Sequence, residues 1–235
     1  MKVDSIKLGG ISAIAASILF TGIFIWLMVN FNYPEILDGE AKNVLPNLIS
    51  MGSTGRIVWA IYAFLPLLWL PVAVGTYNAL RDTNEGMMQI AKYLLIICSL
   101  SMMLGLMRWP SIQWHLGLMW ENADSSQQDV ISTVFNGINT FFGNYIGEFL
   151  GEFCLSIFIV ISGYTMLKSN EFKKWRSYFN IITGIVFLLG AFRNISGILG
   201  EIGGFVSLAT NMTMWWSIWL IIFGLGLLQL KSKTT

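Results

Sequence analysis

A few ionisable residues lie within or at the ends of otherwise apolar stretches of this sequence. Glu148 and Glu152 are four positions apart, so on a helix their carboxylates share one face. Arg193 and Asn194 interrupt a second apolar stretch, and Arg108 ends a third. Because charges are costly in an apolar environment, such residues mark either a functional site or a specific ion pair. These five residues are therefore the first candidates for chemistry.

Two interpretations of the candidates are open. In the functional one, Arg108 and Arg193 bind an anionic group, while a glutamate transfers a proton as general acid or base with help from the only histidine. In the structural one, the arginines pair with the glutamates and lock helices together, although interior ion pairs cost several kcal/mol per ion in desolvation. The catalytic candidates are Glu148, Glu152 and His115. The predicted ligand-binding residues are Arg108, Glu148, Glu152, Arg193, Asn194 and Glu201.

The composition predicts the environment of these residues. Hydrophobic residues make up 55% of the 235 residues and charged residues only 11%, whereas soluble domains carry about one quarter. We therefore expect an all-α polytopic membrane protein with a single helical domain over residues 1–235. A net charge of +1 indicates no nucleic-acid surface. One histidine among scattered carboxylates predicts no metal site, and no motif predicts a cofactor.

About six stretches are long enough to cross a bilayer core of roughly 30 Å, which needs roughly 20 residues of apolar helix. The predicted spans are residues 9–30, 57–80, 89–107, 143–168, 178–199 and 212–230. On this arrangement ten of the 14 lysines and arginines fall on one side. They are Lys2, Lys7, Arg81, Lys92, Lys168, Lys173, Lys174, Arg176, Lys231 and Lys233. Because basic residues near helix ends stay cytoplasmic, both termini are predicted to lie on the cytoplasmic side of a cell membrane.

Two longer connections lie on the predicted outer side. Residues 31–56 indicate a loop with one short surface helix. Beyond Arg108, the Trp109-Pro110 pair predicts the end of the third span, because proline removes a donor and restricts the preceding residue. Asp124 is typical of a helix N-cap and predicts that the fourth span begins outside the membrane.

Small residues and prolines suggest where the helices approach or break. Gly143, Gly147 and Gly151 repeat at the spacing that lets membrane helices pack closely, which favours a packing role. Pro66 and Pro71 each remove a backbone hydrogen bond from the second span, as in the broken helices of some transporters.

Several of these features recur together in a known family. They are Arg108-Trp109, Ala123-Asp124, the pairs Gly147-Glu148 and Gly151-Glu152, the connection Lys173-Lys174-Trp175 and the helix from Gly184 to Gly190. The combination resembles a prokaryotic family of multi-pass membrane proteins, domain of unknown function 4386. The resemblance implies a six-helix membrane fold and a prokaryotic origin, and it assigns neither an activity nor a site.

Three functions are compatible with the sequence. The first is a non-enzymatic membrane protein that binds a lipid headgroup or small anion at the polar cluster, or that serves as a subunit of an assembly with other membrane chains. The second is a membrane-embedded enzyme acting on a lipid-linked substrate. The third is a proton-coupled transporter that uses the same glutamates, with the prolines as the moving break. Membrane lipids are the expected partners in each case.

Overall fold

The computed structural model describes residues 4–195 and 197–230, and these form helices and connections without a β-strand. Lys2, Lys231 and Lys233 lie outside the described residues. The helices are α1 (Ser5–Phe31), α2 (Ala41–Ser50), α3 (Gly52–Phe64), α4 (Trp69–Leu80), α5 (Glu85–Met107), α6 (Trp114–Trp120), α7 (Ser125–Ile138), α8 (Gly151–Lys168), α9 (Lys174–Ala191), α10 (Ile198–Met212) and α11 (Trp215–Leu228). The all-α prediction is confirmed.

Several of these helices join into longer rods that are apolar enough to cross a membrane. Helices α3 and α4 continue through a 3₁₀ turn at Leu65–Leu68, where the Ser99 hydroxyl donates to the Pro66 carbonyl at 2.7 Å. The long helices that meet the length and hydropathy required of a span are Ser5–Phe31, Gly52–Leu80, Glu85–Trp120, Ser125–Lys168 and Lys174–Asn194. The described chain therefore has five such rods, and a bent pair of helices provides a sixth if it crosses as one span.

The third rod is longer than the sequence predicted. The expectation that Trp109-Pro110 ends the span is wrong, because the helix passes through a π-helical turn at Trp109–Gln113 and continues to Trp120. In this wider turn the Gln113 amide donates to the Arg108 carbonyl at 2.8 Å. The π geometry relieves the clash that a proline ring makes with the preceding turn of an α-helix, so the helix continues past Pro110.

The predicted boundaries of the last two spans are also corrected. Helix α9 and its 3₁₀ extension end at Asn194, and residues 198–199 belong to the next helix instead. Helices α10 and α11 meet at an angle of 65°. The break lies at Met214, whose φ of 49° is left-handed and interrupts helical hydrogen bonding. The residues assigned to the sixth span are therefore divided between two helices.

The rods form a closed ring. Helix α1 packs against α4, α4 against α5, α5 against α8, α8 against α9, α9 against α10, and α11 returns to α1. Helix α5 also approaches the segment before α8 at backbone distance, since a Cβ added at Gly105 of α5 would lie 2.6 Å from the Cα of Gly147. This geometry confirms that the glycine repeat serves packing, and it places Glu148 beside the ring's interior.

Both described ends of the chain lie at the same end of the ring. The Lys7 ammonium of α1 donates to the carbonyls of Leu228 and Leu230, the latter at 2.6 Å. Arg176, at the start of α9, donates to the Gln229 side chain at 2.8 Å. Lys7 thus satisfies backbone carbonyls at the C-terminus of α11, where the helix dipole favours a cation, and Arg176 binds a side chain at the same place.

The opposite end of the ring is covered by the short elements. Helix α2 buries Val44, Leu45 and Leu48 and packs against α6 and α7, as expected for a surface helix in this connection. Asp124 caps α7 in a capping box, in which its carboxylate accepts from Gln127 N–H at 2.9 Å. Helix α7 then continues through a π-helical segment, Asn139–Leu150, into α8.

Candidate functional site

A cavity of about 450 Å³ lies inside the ring, at the end covered by α2, α6 and α7. Its walls come from α1, α3, α5, the π-helical segment, α8, α9, α10 and α11. Its polar and charged lining residues are Tyr33, Glu35, Asp38, Tyr62, Arg108, Glu148, Glu152, Arg193, Ser207, Thr210 and Asn211. We refer to this space as the central cavity.

Arg193 and the two glutamates form an ion triad on one wall of the central cavity. The Arg193 guanidinium binds Glu152 through both terminal nitrogens, with Nη2 to Oε1 at 2.8 Å. The same Nη2 lies 3.0 Å from Oε2 of Glu148. Asn194 supports the arrangement, because its amide donates to Oε2 of Glu148 at 2.9 Å and to the Asn144 carbonyl at 3.0 Å. Four of the predicted site residues are therefore in mutual contact.

The triad arises from local helix geometry. The π-helical segment and the start of α8 present Glu148 and Glu152 on one face, one turn apart. Arg193 faces them because α9 packs against α8 and ends in a 3₁₀ turn at Phe192–Asn194. One arginine opposite two carboxylates leaves the group with a formal charge of −1 when all three are ionised. Both terminal nitrogens of Arg193 already bind carboxylates of the protein.

Arg108 is in a different situation, although it lines the same cavity. Its residue is only 6% exposed, and among the described residues no carboxylate forms an ion pair with it. Its Nε donates to Oδ1 of Asn139 at 3.1 Å, and its Nη1 donates to the Gly105 carbonyl. The guanidinium carbon also lies 4.9 Å from the centroid of the Trp109 ring. A buried cation whose hydrogen-bond partners are all neutral is costly unless an anion binds it directly.

The backbone makes room for this cation. A Cβ at Gly143 would lie 2.6 Å from Nη2 of Arg108, so only glycine leaves the guanidinium its place. Asn139, at the start of the π-helical segment, orients the other side of the guanidinium and donates to the Leu37 carbonyl at 2.9 Å. The arginine is thus held in position against the cavity by α5 and the π-helical segment.

The opposite part of the cavity is apolar and aromatic. Phe20 of α1 packs edge-on against Trp216 and Tyr62, with ring centroids 5.0 and 5.5 Å apart. Phe24 and Phe187 continue this surface, which we call the aromatic wall. A cavity with a few polar groups at one side and an apolar surface at the other is typical of a site for an amphiphilic small molecule.

Carboxylates of the 31–56 connection reach the same cavity. Glu35 and Asp38 are exposed residues of a 3₁₀ turn and line the cavity's mouth. Asn144 links this turn to the triad, since its amide donates to Oδ1 of Asp38 at 3.3 Å. The sequence predicted a loop in this connection but offered no reason to place it beside the triad.

The family comparison bears on the whole of this arrangement. The model of the family described as Domain of unknown function (DUF4386) matches residues 8–224. The chain belongs to this family. The match includes every residue that lines the central cavity, and the resemblance seen in the sequence is thereby confirmed. No curated protein and no solved structure matches the chain.

Two predicted site residues of this DUF4386 chain lie apart from both the triad and the central cavity. His115 is exposed on α6 and does not line the central cavity. Glu201 is exposed in the first turn of α10 and is also absent from the lining. The sequence suggested proximity because all these residues fell near the same predicted membrane face, but position along a helix does not give the direction of a side chain.

A second cavity, of about 480 Å³, lies over the surface of α2 and α7 and is lined by residues of these helices, by residues 38–40 and by Trp120. Glu40 lies there beside Lys42, with Oε2 and Nζ 2.5 Å apart. The hydrogen bond and charge of Lys42 hold the pKa of the Glu40 carboxyl below its ordinary value.

Among the described residues, no three side chains of His, Cys, Asp or Glu are grouped as metal ligands. Cys98 and Cys154 are buried free thiols.

Proposed function

We propose that this integral membrane protein binds an amphiphile in the central cavity, with an anionic part of its headgroup at Arg108 and its apolar part along the aromatic wall. The observation that carries the proposal is the buried Arg108 guanidinium, which lines a cavity of about 450 Å³ and has no ion-pair partner among the described residues. An anionic oxygen from a ligand would supply the missing charge.

Arg108 is favoured over Arg193 as the ligand-binding cation. Arg193 already contacts both glutamates, so an anion there would have to compete with two carboxylates. Arg108 has a neutral amide, a carbonyl and an aromatic ring as neighbours. In this proposal the triad shapes the cavity wall, and Arg108 makes the principal polar contact with the ligand.

The test is mass spectrometry of the lipids and small molecules that copurify with the protein in mild detergent. We expect a lipid in the wild type whose occupancy falls about tenfold or more in Arg108→Gln, because a charge-assisted hydrogen bond is worth about 1.5–3 kcal/mol. Arg56→Gln is the matched control, since Arg56 binds the Pro110 carbonyl at 3.0 Å near the same end of the ring but lies outside the cavity.

Folding must be equal for this comparison to count. Each variant is accepted only if its elution profile and thermal unfolding in detergent match those of the wild type. Equal lipid contents in the wild type, Arg108→Gln and Arg56→Gln would overturn the proposal. The same result with a common protein partner in all three samples would instead support the role of a subunit in a membrane assembly.

The orientation is part of the proposal. The cavity opens to the outside of a cell membrane, and the end of the ring that carries Lys7 and Arg176 faces the cytoplasm. The excess of basic residues at that end supports this orientation. We expect Ser126→Cys to react with an impermeant maleimide in intact cells and Thr83→Cys to react only after permeabilisation. The reverse pattern would invert the topology, and no labelling of either in intact cells would argue for an internal membrane.

A further inference from the structure

We infer that the amphiphile's headgroup is zwitterionic, with a phosphate at Arg108 and an ammonium beside the carboxylates of Asp38 and Glu148. This inference rests on the proposed function and names the class of ligand that the same cavity would take. The chemistry is that of a phosphate joined to a primary amine by a short linker. A phospholipid and a soluble phosphoamine share it.

The balance of charge in the central cavity carries the inference. Two arginines and four carboxylates line it: Arg108, Arg193, Glu35, Asp38, Glu148 and Glu152. With all six ionised the formal charge of the lining is −2. Arg193 is paired with Glu148 and Glu152, so Arg108 is the cation of the lining that can bind a ligand. The carboxylates of the lining outnumber its arginines. These carboxylates would repel a purely anionic headgroup, whereas the ammonium of a zwitterion would be attracted to them.

The carboxylates of Asp38 and Glu148 are linked through Asn144. The Asn144 amide donates to Asp38, and its backbone carbonyl accepts from Asn194, whose amide also binds Glu148. Asp38 and Glu148 both line the central cavity. An ammonium has three donors and no acceptor, which suits such carboxylates.

Other ligand classes fit these contacts less well. A lone anion would add to the acidic charge of the cavity lining. A lone cation would leave Arg108 buried without an anion. A metal ion lacks support, because no group of three suitable side chains occurs among the described residues. Of these classes, only a ligand with both charges supplies an anion to Arg108 and a cation to the carboxylates of Asp38 and Glu148.

The experiment measures binding of defined lipids to the delipidated full chain by native mass spectrometry. Phosphatidylethanolamine and phosphatidylglycerol with identical acyl chains are compared in competition, so that only the amine-bearing headgroup differs. Wild-type protein is expected to prefer phosphatidylethanolamine by about fivefold, and Asp38→Asn to reduce that preference about threefold, as for a partly exposed ion pair. Glu40→Gln is the control, because it removes a carboxylate from the same connection outside the central cavity.

The outcomes separate this inference from the proposed function. Equal binding of the two lipids, with loss of both in Arg108→Gln, would overturn the zwitterion and leave amphiphile binding intact. No Arg108-dependent binding of either lipid would overturn both. A preference that Glu40→Gln reduces as much as Asp38→Asn would refute the assigned ammonium position. In a parallel titration, displacement of the bound lipid by soluble phosphoethanolamine at equal concentration would support the zwitterion and show that the acyl chain is dispensable.

Discussion

Replacing Arg193 by Gln tests whether the ion triad is an essential structural element. The change removes a guanidinium that makes two contacts with Glu152 and one with Glu148, together with a hydrogen bond to the Gly190 carbonyl at 3.2 Å. The two carboxylates would then face each other with only Asn194 nearby. We expect a large loss of stability because like charges in a poorly solvated site repel each other.

The magnitude follows from how far the triad is exposed. The side chains of Arg193, Glu148 and Glu152 are 20, 25 and 27% exposed. Breaking a fully buried pair costs about 3–5 kcal/mol, and a fully exposed pair is worth about 1 kcal/mol or less. We therefore expect Arg193→Gln to lower the free energy of unfolding by about 2–4 kcal/mol.

The two glutamates should respond unequally. Glu152→Gln removes the partner of both terminal nitrogens of Arg193 and should cost about 1–2 kcal/mol. Either change relieves the repulsion between the carboxylates, but Glu148→Gln removes a single contact with Arg193 and keeps an oxygen that Asn194 can bind. Its cost should be below about 1 kcal/mol. The expected order of destabilisation is Arg193→Gln, then Glu152→Gln, then Glu148→Gln.

The assay is reversible unfolding by SDS titration from mild-detergent micelles, followed by circular dichroism. Arg81→Gln is the matched control, because Arg81 lies 3.8 Å from Asp82 and both side chains are largely exposed. Its effect should be within about 0.5 kcal/mol. Two results would refute the arrangement of the triad described above. One is an equal loss of unfolding free energy in the two glutamate variants, and the other is an Arg193→Gln variant as stable as Arg81→Gln.

Two further predictions concern packing and buried polar groups. Gly147→Ala should destabilise the protein by about 1–3 kcal/mol in the same unfolding assay, because its Cβ would lie 2.9 Å from the Cα of Gly105. Gly137→Ala is its control, since nothing lies within 4 Å of an added Cβ, and a loss equal to that of Gly147→Ala would contradict the close contact. Asn180→Ala should cost about 1–3 kcal/mol, because Nε1 of Trp219 donates to its Oδ1 at 2.6 Å in a buried site. A neutral Asn180→Ala would show that this bond is not needed.

Much of the fold follows from properties that are local in the sequence. Long apolar stretches must be helical in a bilayer, because no other partner satisfies their backbone groups, so the membrane class and most rods were predictable. The N-cap at Asp124 and the glycine spacing around Gly147 depend on residues within a few positions, and the structure confirms both.

Helix ends and breaks were harder to predict from the same information. The rule that proline ends a helix failed at Pro110, because a π-helical turn accommodates the ring and the helix continues. The bend at Met214 carries no glycine or proline signal, so the chain between residues 198 and 228 was divided wrongly. Both features depend on packing with other helices, which local propensity does not contain.

The sequence by itself determined that this chain is a multi-pass membrane protein with a few charged residues in or beside its apolar helices, including Arg108, Arg193 and the two glutamates. The tertiary structure alone decided their roles. It pairs Arg193 with both Glu148 and Glu152, and it leaves Arg108 buried without an ion-pair partner among the residues that the structure describes. It also brings Asp38 to the same cavity and keeps His115 away from it. The physical reason is that a charge is identified by its residue type, whereas its partners are set by which helix faces meet when the ring closes.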